Sequence, residues 1–250
     1  MKNLYNFITI SMVIFYSSLN AQWSQVNFPY SGAVNCLAVG TNGTSFEALF
    51  AGTKDDGSVL TNEGTSWQAI NNGLEDSVVT SLAIDRSNIY AGTYRDISNI
   101  WPFYRGKIFY STNSGTNWQA ADTSFPNGTI KCFAISDSNI FAGVVSMNGG
   151  SQIYLSTNTG ISWEMVFDTP SAYSVLSNLI INDSNVFAGT ASYHSLFLHS
   201  FNNGQSFSIN DRRISSGIYA LARIGNNLFS RDRIWGLSFN QQWFKLESCQ

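Results

Sequence analysis

Short alternating runs of apolar and polar residues recur along the chain, each closed by a cluster of Asp, Ser, Asn or Gly. Val34-Asn-Cys-Leu-Ala-Val39, Val79-Thr-Ser-Leu-Ala-Ile84, Ile130-Lys-Cys-Phe-Ala-Ile135, Leu176-Ser-Asn-Leu-Ile-Ile181 and, more loosely, Ile218-Tyr-Ala-Leu-Ala222 read as strands of one kind. Side chains on a strand alternate between its two faces, so this pattern predicts strands rather than helices. Polar turns such as Asp85-Arg-Ser-Asn88, Ser136-Asp-Ser-Asn139 and Asn182-Asp-Ser-Asn185 follow. A second strand comes next: Leu49-Phe-Ala-Gly-Thr53, Ile89-Tyr-Ala-Gly-Thr93, Ile140-Phe-Ala-Gly-Val144 and Val186-Phe-Ala-Gly-Thr190. The fifth copy, Leu228-Phe-Ser-Arg231, lacks the glycine. A glycine inside a strand weakens it unless another backbone or side chain must come close, so glycines repeated in register predict close approach.

Each unit then carries an octet: Leu60-Thr-Asn-Glu-Gly-Thr-Ser-Trp67, Ser111-Thr-Asn-Ser-Gly-Thr-Asn-Trp118, Ser156-Thr-Asn-Thr-Gly-Ile-Ser-Trp163 and Ser200-Phe-Asn-Asn-Gly-Gln-Ser-Phe207. Asn-x-Gly is turn chemistry, because Asn bonds nearby backbone and Gly accepts a positive φ. With β-prone runs such as Lys107-Ile-Phe-Tyr110 before it and an aromatic after it, the octet predicts a hairpin loop with a plug at its exit. The structural set is Asn62, Gly64, Trp67, Asn113, Gly115, Trp118, Asn158, Gly160, Trp163, Asn202, Gly204 and Phe207. A part needed in every repeat reads as scaffold. The repeated glycines stand at 52, 92, 143 and 189, a period of 40 to 51 residues. Four strands per unit of that length predict an all-β propeller of four-stranded antiparallel blades with about five repeats, as a closed or an incomplete ring. Trp23-Ser-Gln-Val-Asn-Phe28 reads as a fourth strand standing without its own repeat, which would complete the last blade.

The octet resembles the Asp-box, Ser-x-Asp-x-Gly-x-x-Trp, of the bacterial neuraminidase repeat. That family includes sialidases, xyloglucan-active glucanases, sortilin-type receptors and photosystem II assembly factor propellers. The resemblance implies a hairpin between the two outer strands of each blade, away from the binding face. Here Asn62, Asn113, Asn158 and Asn202 replace the Asp, which keeps the turn geometry and removes the charge.

Charge and composition narrow the function. Only 12% of the 250 residues are charged and the net charge is −3, with no basic run, so nucleic acid is not an expected partner. Lys2 followed by the mostly apolar stretch from Leu4 to Tyr16 reads as a secretory signal with cleavage after Ala21, leaving 22–250 as the propeller. The stretch is short for the roughly 20 residues that cross a bilayer, so a secreted or periplasmic product without stable membrane insertion is expected. Cys36, Cys132 and Cys249 give no disulfide framework; Cys36 and Cys132 take the same place in two repeats and read as small buried hydrophobes. The two histidines, His194 and His199, form no metal-ligand spacing with cysteines, and neither a metal nor a cofactor is expected.

One repeat gains length between its second and third strands. Residues Tyr94 to Gly106, read as a loop, carry Tyr94, Arg95, Trp101, Phe103, Tyr104 and Arg105 where the other repeats have ordinary turns. Flat aromatics suit sugar faces or a partner's apolar anchor, and arginine is enriched at hot spots. With Tyr193 and His194 these form the expected ligand-binding lip, for an unknown protein or glycan; the alternative for Trp101 and Phe103 is that they fold back over their own blade. Resemblance to sialidases implies three arginines around a carboxylate and an Arg-Ile-Pro motif; the motif is missing and Arg86 is the first arginine. Glycosidases in general need paired carboxylates. Asp55, Asp56, Glu75, Asp76, Asp96, Asp122, Asp168 and Asp211 lie in loops on the right face, as solvated turns would place them. The expectation is a non-catalytic binding scaffold, with a sialidase-like or other glycoside hydrolase as the alternative.

Overall fold

A computed structural model describes residues 33–41, 47–54, 57–62, 66–75, 78–96, 104–121, 128–146, 149–169, 174–191, 195–210, 217–224, 227–232 and 243–248. The described secondary structure is strand and turn throughout. Five sheets follow one another along the chain. The first holds β1 (Val34–Thr41), β2 (Glu47–Thr53), β3 (Val59–Asn62) and β4 (Trp67–Ala69). The second holds β5 (Val78–Asp85), β6 (Asn88–Asp96), β7 (Tyr104–Ser111) and β8 (Gln119–Ala120). The third holds β9 (Gly128–Ser136), β10 (Asn139–Ser146), β11 (Ser151–Ser156) and β12 (Glu164–Asp168). The fourth holds β13 (Leu176–Asn182), β14 (Asn185–Thr190), β15 (Phe197–Ser200) and β16 (Ser208–Asn210). The fifth has three strands, β17 (Ile218–Ile224), β18 (Asn227–Asp232) and β19 (Trp243–Ser248). Every pairing is antiparallel between neighbours in sequence. The leading Trp23–Phe28 segment lies outside the described residues, as do the signal stretch, Gly64 and Cys249.

The first strands of successive sheets pack on one another, β1 on β5, β5 on β9, β9 on β13 and β13 on β17. They are the inner strands of adjacent blades. One apolar core fills each joint: Phe50, Val79 and Trp118 between the first two blades, Ile108, Ile130 and Tyr154 in the second joint, Phe141, Leu179 and Leu198 in the third, and Phe187, Phe197 and Ile218 in the fourth.

The in-register glycines sit at these joints. A Cβ on Gly52 would lie 2.5 Å from Val79 Cγ1, one on Gly92 2.6 Å from Ile130 Cβ, and one on Gly189 2.6 Å from Ile218 Cγ2; at Gly143 it would strike Leu176 Cδ2. The second strand of each of the first four blades thus receives an apolar residue from the start of the next inner strand, and any side chain there would hold the blades apart. Cys36 and Cys132 pack on the same glycines from within their own sheets. Both are free thiols, and burial pushes each up to about 12. Burial, then the neighbouring Asp85 charge, likewise pushes the Tyr90 hydroxyl up to about 12.

These groups set an alkaline limit. In an unfolded chain thiols ionise near 8.5 and tyrosine near 10. Their folded values are raised, so the unfolded state releases protons first and stability falls as pH rises. Urea midpoints should be level up to about pH 8.5 and decline between there and about pH 12. The double variant Cys36→Ser, Cys132→Ser, which copies Ser81 of the second blade, should make the first part of that decline shallower. An unchanged slope would contradict the burial of these thiols.

The octets are hairpin loops, three of them described with one geometry. Ser111 Oγ donates to Asn113 Oδ1 at 2.9 Å and accepts from the Gly115 amide at 2.9 Å, while Asn113 Oδ1 accepts from the Asn117 amide at 3.0 Å. Ser156, Asn158, Gly160 and Ser162 repeat this, as do Ser200, Asn202, Gly204 and Ser206. Paired positive φ angles shape each turn, for example Ser114 at 55° and Gly115 at 84°. The amide nitrogens of Asn158 and Asn202 donate onward to the hydroxyls of Ser162 and Ser206 at 2.8 and 2.9 Å.

Among the described residues, no joint of this kind links the fifth blade to the first. Leu37 and Val39 of β1 are 61% and 64% exposed, whereas Leu179, which takes the place of Leu37 in the fourth blade, is 7% exposed. On the fifth blade, Arg231 stands where a joint glycine would be.

Candidate functional site

Each inner strand carries a β-bulge near its start. Register shifts fall between Val34 and Cys36, Val79 and Ser81, Leu176 and Asn178, and Ile218 and Ala220, and the third blade has the same break opposite Gly143 and Val144. The extra residues are Asn35, Thr80, Lys131, Ser177 and Tyr219. A bulge re-aims its side chain out of the pleat. Three of these use that freedom to tie their blade to the next: Asn35 Nδ2 donates to the Val79 carbonyl at 3.0 Å, Thr80 Oγ1 to the Ile130 carbonyl at 2.6 Å, and Ser177 Oγ to the Ile218 carbonyl. At the third blade the tie has moved: Ser151 Oγ accepts from the Leu176 amide at 2.7 Å and donates to the Ser174 carbonyl at 2.6 Å. Lys131 is therefore relieved of the structural duty and is exposed.

The bulges lie at one end of the blades, and the octets at the other. The Ser114 amide donates to the Ser87 carbonyl, and the Asn203 amide to the Ser184 carbonyl, so the octets rest on the turns that follow the inner strands. The bulge end also carries the connections between second and third strands. There a cavity of about 410 Å³ opens among the first three blades, lined by Asn35, Lys54, Thr80, Tyr94, Thr129 and Lys131. Small-ligand sites commonly occupy roughly 300–1,000 Å³. Lys54 directly follows β2 and Tyr94 takes the matching place in β6, so three elements of repeat geometry converge on one opening. Among the described lining residues there is no carboxylate and no aliphatic side chain.

The expected lip is partly redrawn. Tyr94 lines the cavity. Residues 94–96 and 104–106 are not loop, because β6 and β7 stay paired as far as Asp96 opposite Tyr104. Arg95 and Arg105 face each other across this pair and are exposed, and Arg95 Nη2 donates to the Glu75 carbonyl at 2.6 Å. Trp101, Phe103, Tyr193 and His194 lie outside the described residues. His199 is buried at the outer strand β15, stacked on Phe187. Lys54, Lys131 and the bulge residues escaped the sequence reading, since a bulge leaves no mark in an alternating pattern beyond a polar second residue. Among the described residues, no group of three His, Cys, Asp or Glu could hold a metal ion, and no helix is long and apolar enough to cross a membrane.

No protein-family model and no curated protein matches this chain. Solved structures do. The nidogen/laminin complex has a chain matched at TM-score 0.57 and 12% identity, over 78% of this chain and 71% of that one. YCF48 bound to D1 peptide is matched at TM-score 0.55 and 14% identity, over 81% and 63%. The fold is a β-propeller. The extracellular domain assigned to a one-component system of B. thetaiotaomicron is similar at TM-score 0.58 and 13% identity, over 87% of this chain and 28% of the other. The propeller described here thus spans less than two thirds of the length of two of these three relatives.

Proposed function

We propose that this propeller is a non-catalytic, exported binding scaffold of the Asp-box type, which takes a protein or glycan at its bulge end. The observation that carries the reading is a division of labour between the two ends. Octet side chains spend their polar atoms on one another. The opposite end opens a polar, cationic cavity of ligand size. Octet geometry built on Ser, Asn and Gly supports the Asp-box assignment. Structural likeness to one chain in a nidogen/laminin complex and to YCF48 bound to D1 peptide supports binding as the activity, and likeness to an extracellular domain supports export. Trp101 and Phe103, beyond the end of β6, would extend the same surface.

A glycan array and a pull-down from the envelope of the producing cell test this reading, with fluorogenic sialosides and other glycosides tested alongside. Retention of a partner without release of fluorophore is expected. Glycoside turnover would replace the scaffold by the hydrolase reading. Export is tested separately: N-terminal sequencing of the secreted product should begin at Gln22, and a retained Met1 on a membrane-bound product would contradict it.

A further inference from the structure

The geometry points to a specific ligand class for the cavity, an acidic sugar of the uronate type, with its carboxylate held between Lys54 and Lys131; this rests on the scaffold reading above and sharpens it. Three observations converge. The cavity is lined by two lysines 77 positions apart in sequence, with no carboxylate among its described lining residues. Lys131 stands at a bulge where the first, second and fourth blades carry a short tie residue, and the tie of its own joint is made by Ser151 instead. The cation at that point is thus dispensable to the joint, which leaves it available to a ligand.

The rest of the lining suits a hydroxylated ring. Asn35 gives its amide hydrogen to the Val79 carbonyl, which leaves its Oδ1 to accept from a sugar hydroxyl. Thr80 gives its single hydrogen to main-chain carbonyls, so its oxygen is likewise an acceptor toward the cavity. Tyr94 supplies an aromatic wall. Two cations therefore face the acid, acceptors face the hydroxyls, and a ring lines the side. A peptide anchored by apolar side chains finds no aliphatic partner among the described lining residues. An open cavity of about 410 Å³ has room for one or two sugar units.

The test uses oligogalacturonate as probe, titrated calorimetrically into the full mature chain at low and at high salt, with neutral oligogalactose and oligoglutamate as comparisons. Oligogalacturonate should bind, more weakly at high salt, and the two comparisons should bind at least about tenfold more weakly. Lys131→Thr, which installs the tie residue of the second blade, should keep the unfolding midpoint and weaken oligogalacturonate by about tenfold or more, the usual loss of a hydrogen bond to a charged group. Lys54→Gln should act in the same direction. Oligoglutamate binding as well as oligogalacturonate would overturn the sugar class. Unchanged affinity in both lysine variants, or no binding of oligogalacturonate at all, would overturn the site. If the array or pull-down still retains a partner in that last case, the scaffold reading stands and only this inference falls.

Discussion

Trp118→Ala is expected to cost about 3–5 kcal/mol of folding stability, the usual loss for a large buried aromatic. Trp118 is 4% exposed and belongs to the core between the first and second blades. It reaches back across that joint: its Nε1 donates to the Ile70 carbonyl, its main-chain amide donates to the Asn72 carbonyl at 2.8 Å, and Asn72 holds the neighbouring Asn117. Truncation would leave a cavity and strip a partly buried carbonyl of its donor, two costs that add. The sequence alone makes Trp163 its equal. In the structure Trp163 is half-buried, donates to Gly160 of its own octet at 3.0 Å, and lies 6.3 Å from the Phe133 ring. Trp163→Ala should therefore cost less, about 2 kcal/mol, in line with its smaller buried area. Urea denaturation of the two variants decides it. Equal losses would mean that the octet aromatics act only within their own loops.

Gly92→Ala should destabilise by about 2–3 kcal/mol, the upper part of the overpacking range. The sign is the informative part, because elsewhere in a strand alanine is more stable than glycine by roughly 0.5–1 kcal/mol. At Gly92 the added methyl would meet Ile130 Cβ at 2.6 Å and Cγ2 at 2.7 Å, both on the stiff, branched part of that side chain, and would strike Ser81 Oγ as well. The Ser81 hydroxyl can rotate aside, but Ile130 cannot give way without moving a blade. If blade-to-blade contact is the cause, Ile130→Ala should lessen the cost, so that the double variant is more stable than the sum of the single losses predicts. A stabilised Gly92→Ala protein, or strict additivity, would show that the blades are not in contact there.

Much of the fold was legible because repetition made each signal visible several times. Asn-x-Gly turns, alternating inner strands and in-register glycines each predicted a local structure, and the structure places all three. The close approach inferred from Gly52, Gly92, Gly143 and Gly189 is the docking of Val79, Ile130, Leu176 and Ile218 from the following blade. What escaped were features that exist only between repeats. Thr80 and Ser177 look like ordinary polar residues on alternating strands; their bulged geometry and ties to Ile130 and Ile218 appear only when the next blade is in place. Lys54 and Lys131 belong to different repeats and carry no local motif. Tyr94 to Gly106 reads as a loop because the extra length of this repeat falls there, yet main-chain pairing carries β6 through Asp96 and β7 from Tyr104.

Among the described residues, the exposed face of β1 also has a counterpart in the sequence. Among the described residues, Leu37 and Val39 lack the cover that the second, third and fourth blades receive from their predecessors. The fifth blade presents Arg231 and the 48%-exposed Tyr219 at the two positions that elsewhere make the joint and the tie. Trp23 precedes Val34 by 11 residues, the same spacing that separates Phe207 from Ile218. The expectation that this segment is a fourth strand falls outside the described residues; among those, the fifth sheet is the one with three strands.

The central claim is that the two ends of the propeller do different work, and one paired measurement on Trp118→Ala and Lys131→Thr tests it most directly. Each variant is unfolded in urea and, under native conditions, titrated with the ligand recovered from the array or pull-down. The account predicts that Trp118→Ala loses about 3–5 kcal/mol of stability and binds as the parent does, while Lys131→Thr keeps its midpoint and binds about tenfold more weakly. Affinity lost in Trp118→Ala and kept in Lys131→Thr would place the site at the octets and contradict the account.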